Sequence, residues 1–529
     1  MYLCLAQVFD KFRYNTTWLI GDFLAGITVG SLVIPQALSY AKLAGLPVEY
    51  GLYTSFVGLI VYIFFATSKD VTIGILIKLD YLKQTCLGPT AVLSQLVGQL
   101  LASSTLGLDP VVFTTSLAFL VGLIETGIGL LQLGMIVDLI SVPVVVGFTT
   151  GAAFQIIFGQ LSGILGIPNI NTNDAPYLVL INTLKGLPKT NTNAYFGIAA
   201  VLVLVLFRLA TRAATARGHK WFIWVGYSAN AITLIVFTLI SWLLYRNVKT
   251  IPIRIVGSVP KGLNYLKVPD TSVFGNLLSP AITVVVVGII EHIAMVKAFG
   301  RLNGYQADSN QEIIALGFTN VIGPFFGGFS ATGSLSRSSI MSRSGVKSPL
   351  AGVFAASLVL ATIYWVTPAF YFVPNAVLSA IITVAITDLI AKPAVLQRIW
   401  DVEFQDFAVF FIAFWVTIFV NIEMAVYVSV AISILILLYR IARPQVNLLV
   451  RQETGWSDYE EQNKLKKNPE QSPYPGIFVF RIGEALTYPN ASYLIAQFRT
   501  WVIKNTKYGN SENPSDLLWF VFVFGGHVF

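Results

Sequence analysis

Two short stretches hold the residues of this chain best suited to chemistry. In FFGGFSATGSLSRSSI, Ser336, Arg337 and Ser338 follow a glycine-rich run, and in GPTAVL, Thr90 and Ala91 follow Gly88 and Pro89. Each reads as a helix that starts behind non-helical backbone, because glycine and proline punctuate a helical pattern. A helix N-terminus carries free N–H groups and a macrodipole equivalent to about half a positive charge. Two such ends turned toward one another would hold an anion, with the amides of Thr90 and Ala91 on one side and the amides and hydroxyls of Ser336 and Ser338 on the other. Arg337 adds a full charge. An arginine near the centre of a membrane costs roughly 2.5–3.5 kcal/mol on insertion scales, so one that faces a cavity serves an ion more often than it snorkels from a helix end.

Three further groups stand out. In IPQALSYAKLAGLP, Pro35 would break a helix and free backbone groups, while Gln36 and Tyr40, four apart, share a helical face. Spacing leaves open whether they touch a ligand or hold a kink. Glu291, in VVVVGIIEHIAMVKAFG, lies well inside an apolar run. A carboxylate there is costly unless protonated or paired, and proton coupling needs such a group beside an aqueous path; a standing pair with Lys297 is the alternative. Glu125 in LIETGIGLL is a second such carboxylate, with nothing else polar near it in the sequence.

The elements that must position these groups follow from composition. Of 529 residues, 55% are hydrophobic and 11% charged, far from the roughly one-quarter charged share of soluble domains. The chain reads as an all-α polytopic membrane protein, since an apolar slab of about 30 Å takes around 20 helical residues per crossing and leaves no backbone group unsatisfied in a helix. Two cysteines, Cys4 and Cys86, give no disulfide framework, and no cleavable signal precedes the first apolar run near Trp18. Three histidines without metal-ligand spacing and no glycine-rich nucleotide loop argue against an enzyme or an ATP-driven pump, and no cofactor, metal or nucleic-acid partner is expected.

Fourteen candidate segments run along residues 18–441, at 18–44, 50–66, 89–104, 110–133, 143–165, 193–210, 220–245, 274–299, 309–328, 334–343, 348–371, 374–391, 404–421 and 423–441. Placing the N-terminus (1–17) in the cytoplasm puts Arg208, Arg212, Arg217, Lys297, Arg301, Arg343, Lys392 and Arg398 inside, although the loops at 166–192 and 246–272 carry cations outside. The short segments 89–104 and 334–343 are each third in a set of seven. An odd number per set implies opposite orientations, hence an inverted repeat with a site near the midplane. A polar linker is expected over 442–472, followed by strand, turn, strand and helix in a partial α/β segment over 473–529, marginal as an independent core.

The runs GDFLAGITVGSLVIPQALSYAKLAGLPVEYGLYTSF, FATSKDVTIG, GPTAV and EHIAMVKAFGRLNGYQADSNQEIIALGFTNVIGPFFGGFSATGSLSRSSI resemble, in order, the SulP family of sulfate permeases and anion exchangers, especially its fungal sulfate permeases. The resemblance covers residues 13–445, and 473–500 is similar to the start of that family's cytoplasmic STAS domain. It implies fourteen spans in two inverted repeats of seven. Spans 1–4 and 8–11 form a core, spans 5–7 and 12–14 a gate, and an elevator-type movement carries the anion between the N-termini of spans 3 and 10. Carried over by motif, Gln36 and Tyr40 of PQALSY, Thr90 of GPTAV, and Ser336 and Arg337 of SLSRS line the site, and Glu291 matches a carboxylate linked to proton coupling.

The expectation is secondary active transport of sulfate, or a related inorganic anion, with protons across the plasma membrane, by a homodimer in the lipid bilayer with both termini cytoplasmic. The alternatives are an exchanger or channel for chloride, bicarbonate or oxalate, and a non-transporting sensor or inactive splice form. One departure bears on all of them: the family pattern runs VTIG directly into PTAV, whereas here fourteen residues, Ile75–Gly88 or Gly74–Leu87, intervene. They fall at the strand-to-helix junction of the anion site, carry Lys78, Asp80 and Lys83, and are read as a segment absent from the mature message, like the short C-terminal ending.

Overall fold

The computed structural model describes residues 16–65, 87–172, 174–218, 222–248, 252–303, 307–344, 346, 348, 350–420, 422–444, 446–451, 459–461, 477–508 and 519–524. The expected insertion therefore lies outside the described residues except for Leu87 and Gly88, as do residues 1–15 of the N-terminal stretch.

In chain order the first half holds α1 (Thr16–Leu43), α2 (Glu49–Phe65), β1 (Leu87–Gly88), α3 (Ala91–Ser103), α4 (Pro110–Leu130), α5 (Val142–Ile164), α6 (Pro176–Lys185), α7 (Asn193–Ala216), α8 (Phe222–Tyr227) and α9 (Ala229–Tyr245). The second holds α10 (Phe274–Asn303), α11 (Ser309–Ile322), β2 (Thr332–Gly333), α12 (Leu335–Arg343), α13 (Leu350–Ala361), α14 (Asn375–Ile386), α15 (Pro393–Val402), α16 (Phe404–Phe419) and α17 (Ile422–Ala442). Each expected segment contains a helix among the described residues. Among the described residues eight helices are long and apolar enough to cross a membrane, and four shorter apolar ones accompany them, α2, α3, α9 and α16. With large apolar side chains such as Leu131, Leu202, Ile235, Trp365 and Leu435 exposed on its outside, this is a multi-pass membrane protein. Helices α6 and α15 lie inside expected connections, each ten residues long and interrupted by polar or charged side chains.

Local signals set the boundaries. Asp109 caps α4 by accepting from the Val111 amide (2.8 Å), with Pro110 at its first position, and Asp308 caps α11 through the Asn310 amide (2.9 Å). Pro35, expected to break its helix, does not: α1 runs through it, and the Ser39 hydroxyl donates to the Pro35 carbonyl (2.8 Å). Packing around a membrane helix tolerates a proline whose freed groups find other partners.

Without a hydrophobic drive between helices in lipid, close approach of small residues holds them together. Gly26 and Gly30 of α1 lie against Ala351 and Ala355 of α13, Gly122 of α4 against the Asn320–Val321 backbone of α11, and Gly147 and Gly151 of α5 against Phe410 and Thr417 of α16. The buried Asp22 carboxylate of α1 accepts from both the amide (2.9 Å) and the hydroxyl (2.5 Å) of Ser348 just before α13.

The chain divides into two compact units, residues 1–430 and 431–529. The second contains a sheet of order β4-β3-β5-β6, with β3 at Val446–Arg451, β4 at Tyr459–Glu461, β5 at Ile477–Ile482 and β6 at Trp519–Phe524. Two expectations change here. The linker region contributes β3 and β4, and β5 is followed not by a second strand but directly by α18 (Tyr488–Tyr508), which crosses to β6 running parallel to β5. Asn490 steadies the start of α18 by donating to the Ala485 and Ile441 carbonyls (2.9 and 3.1 Å).

Candidate anion-binding site

The two half-helices meet through a two-residue ladder. Strands β1 and β2 pair antiparallel, Leu87 opposite Gly333 and Gly88 opposite Thr332. Helix α3 begins three residues after β1 and α12 two residues after β2, so the helices leave the ladder in opposite directions with their N-termini together. Thr90 is the extended N-cap of α3, its hydroxyl accepting from the Leu93 amide (3.4 Å). Ser334 holds the same place before α12 with no side-chain cap, its hydroxyl 3.2 Å from that of Ser336.

Arg337 enters this junction from the first turn of α12. The side chain is fully buried, and its Nε, Nη1 and Nη2 have no hydrogen-bond partner among the described residues. Its guanidinium lies against the Cα of Gly88: a Cβ added there would stand 2.8 Å from Nη1, nearer than real side chains approach. Taking a charge out of water costs several kcal/mol unless a counter-charge and hydrogen bonds replace the hydration, roughly the scale on which ion sites are built. Five unpaired N–H donors in a buried fork are therefore set for an oxyanion.

Glu291 faces the same place from the middle of α10. The Thr90 hydroxyl donates to its Oε2 (3.1 Å), and Arg337 lies within Coulombic reach. Its contact is thus Thr90 rather than Lys297. Tyr40, buried on α1, lies within Coulombic reach of both Arg337 and Glu291. Gln36, one turn earlier on α1, is buried with Oε1 lacking a partner. Ala91 is buried in the first turn of α3, and Ser336 is half-buried with Ser334 as its neighbour. The structure thus joins Thr90 and Glu291 by a hydrogen bond and brings Tyr40 and Arg337 within Coulombic reach, with Ala91 next to Thr90 in the chain, Gln36 one turn from Tyr40 and Ser336 next to Arg337.

Sequence reasoning missed two supports. His292, next to Glu291, has its Nε2 3.1 Å from Glu312 Oε2, to which Tyr62 also donates (2.6 Å), all three buried, while its Nδ1 side lies against Gly333 of β2. The Glu-His dipeptide was the available signal, set aside because the histidines lack metal-ligand spacing. Glu125 is also not isolated. Asn320 Nδ2 donates to its Oε2 (2.8 Å) and to the Ala331 carbonyl (3.1 Å), while Asn320 Oδ1 accepts from the Ala331 amide (2.8 Å). Glu125 therefore braces the backbone leading into β2.

A model of the sulfate permease family matches residues 19–413. A probable sulfate permease of Schizosaccharomyces pombe is 41% identical over 504 residues, covering 91% of this chain and 58% of that protein. Sulfate permease 2 of Neurospora crassa is 38% identical, covering 94% and 64%. The chain thus spans about three fifths of the length of these curated relatives. Among solved structures, the murine Solute Carrier 26 family member A9 anion transporter superposes with a TM-score of 0.76 at 24% identity, over 98% of this chain and 82% of that one. The transmembrane domain of the cyanobacterial bicarbonate transporter BicA does so with a TM-score of 0.61 at 20% identity, over 80% and 99%. These two likenesses establish the fold.

Proposed function

Because the chain belongs to the sulfate permease family, we propose that it moves sulfate across the plasma membrane with protons, binding the anion between the N-termini of α3 and α12. The observation that carries this reading is Arg337, buried beside two helix starts with none of its three guanidinium nitrogens hydrogen-bonded among the described residues. The names of the fungal relatives supply the substrate.

A sulfate at this junction would meet the free N–H groups of both first turns and the Arg337 fork, while Gln36, Tyr40 and Ser336 bound its space. Glu291 occupies the same field, taking the Thr90 hydroxyl and lying within reach of Arg337. While ionised, its carboxylate competes with the dianion for that positive potential. Protonation removes the competing charge, so proton and sulfate load together and the proton gradient drives uptake.

In the proposed cycle, α1–α4 and α10–α13 form a core that shifts against a gate of α5, α7, α9, α14, α16 and α17. Fourteen crossings in two inverted repeats, cytoplasmic termini and a homodimer complete the reading. In the domain scheme, 18–441 is the transporter, 442–472 the connection and 473–529 part of a STAS-like domain. In support, close packings fall within each group, α4 on α11 and α1 on α13 in one, α5 on α16 and α7 on α14 in the other.

Radiolabelled sulfate uptake in a permease-deficient cell, at acid and neutral external pH, tests the proposal. Acid-stimulated uptake that disappears in Arg337→Ala, at an unchanged surface amount, is expected. Uptake that ignores pH would favour the exchanger or channel, and Arg337→Ala uptake equal to the native chain's would remove the anion site.

A further inference from the structure

A second basic site lies away from the half-helix junction, at the Asn375 end of α14. There a cavity of about 280 Å³ opens among the ends of α1, α5 and α14 and the segment 252–257. Lys42 and Arg254 line it, Asn193, Gln160, Gln95 and Ser379 add amide and hydroxyl groups, and no described lining residue is acidic. Its volume holds a tetrahedral oxyanion with several waters, at roughly 30 Å³ per water.

The wall is built, not incidental. The backbone carrying Arg254 is pinned on both sides: its amide donates to Asn193 Oδ1 (2.9 Å), its carbonyl accepts from the Asn375 amide (2.9 Å), and the next residue, Ile255, bridges Pro374. Lys42, in the last turn of α1, donates to the Asn375 carbonyl at 3.4 Å. The Arg254 side chain has no ion-pair partner among the described residues, and the two cations lie within Coulombic reach of each other. Like charges held together without a carboxylate are unfavourable, and a doubly charged anion between them relieves the repulsion from both sides. A single negative charge would leave one cation unmatched.

The cavity also points the right way. Gln95 on its wall is four residues along α3 from Ala91, ~6 Å at 1.5 Å per residue, so one wall of the cavity comes close to the half-helix junction. In the topology proposed above, this is the outer side.

We propose that this cavity is a second anion subsite, an outer vestibule in which Lys42 and Arg254 capture a divalent oxyanion before it passes to Arg337. The passage rests on the transport reading; the binding does not.

Two measurements on the full chain separate them. In uptake assays, replacing Lys42 and Arg254 together by glutamine should raise the KM for sulfate at least fivefold, with the maximal rate per surface molecule within twofold. Lys42→Arg should keep the native KM. A native KM in the double variant overturns the proposal. For binding, Gln160→Cys is introduced into a chain with Cys4→Ser, Cys86→Ser and Arg337→Gln, where the junction can no longer hold the ion. External sulfate should slow its modification by an anionic thiosulfonate at least threefold, chloride of equal ionic strength should not, and the protection should vanish when Lys42 and Arg254 are glutamine. A cysteine that sulfate does not protect, or that no external reagent reaches, overturns the proposal. If protection is seen although the native chain takes up no sulfate, the subsite stands and the transport reading falls.

Discussion

The Thr90 hydroxyl, N-cap of the first half-helix, donates across 3.1 Å to Oε2 of Glu291 in the middle of α10. One side chain thus closes the helix start and holds the carboxylate beside the half-helix junction. In the proposed reading, a change of charge on Glu291 is felt where the anion would dock, which is the arrangement a coupled carrier requires.

Glu291→Gln keeps the size of the side chain and removes its charge for good. If loading requires a neutral group there, the variant mimics the protonated state at every pH, and the ratio of sulfate uptake at acid to neutral external pH should fall toward one. Radiolabelled uptake at the two pH values reads this directly. Retention of full acid stimulation would exclude Glu291 as the coupling group.

Thr90→Val preserves shape but deletes both hydrogen bonds of the hydroxyl. Loss of an N-cap alone costs about 1 kcal/mol, and Glu291 loses its hydrogen bond from the Thr90 hydroxyl, so uptake should drop roughly tenfold, while Thr90→Ser should keep most of it. Equal uptake in Thr90→Val and native chains, at matched surface amounts, would show that the hydroxyl is dispensable.

Much of this junction was legible in the sequence because its signals are local. Gly88-Pro89 and the run before Ser334 interrupt apolar segments, and the starts of α3 and α12 fall where those interruptions end. What supports the junction was not legible. Asn320 lies 195 residues from Glu125 in the chain, and Tyr62 lies 250 from Glu312, so no periodicity could pair them. The strands β3 and β4 escaped for a related reason: β3 pairs with β5 across a polar stretch of chain, and β4, which pairs with β3, is only three residues long.

Asn320 offers a test of that hidden support. Replacing it by alanine removes its bonds to Glu125 and to both backbone groups of Ala331, leaving a buried carboxylate short of a donor. Leaving a buried polar group without its hydrogen-bond partner costs roughly 1–3 kcal/mol. Asn320→Ala should therefore lower the melting temperature of the detergent-purified protein by several degrees and reduce uptake, whereas Asn320→Asp with Glu125→Gln, which exchanges the polar groups, should recover part of both. A melting temperature unchanged in Asn320→Ala would mean that the segment before β2 is held by other contacts.

The insertion is tested last, and the geometry at Gly88 sharpens what to expect. Removing Ile75–Gly88 or Gly74–Leu87 yields one and the same sequence, VTIGPTAV, with a glycine again preceding the proline of α3. In that chain an isoleucine takes the place of Leu87 opposite Gly333, another apolar residue at a buried position, and the glycine keeps the room that Arg337 Nη1 requires. The ladder that joins the half-helices is therefore preserved, and the shortened chain should carry sulfate at least as fast per surface molecule as the intact one. Placing alanine at that glycine should then cost most of the uptake, since its Cβ would meet the guanidinium. A shortened chain that reaches the surface and carries no sulfate would mean that residues 75–87 are themselves part of the site.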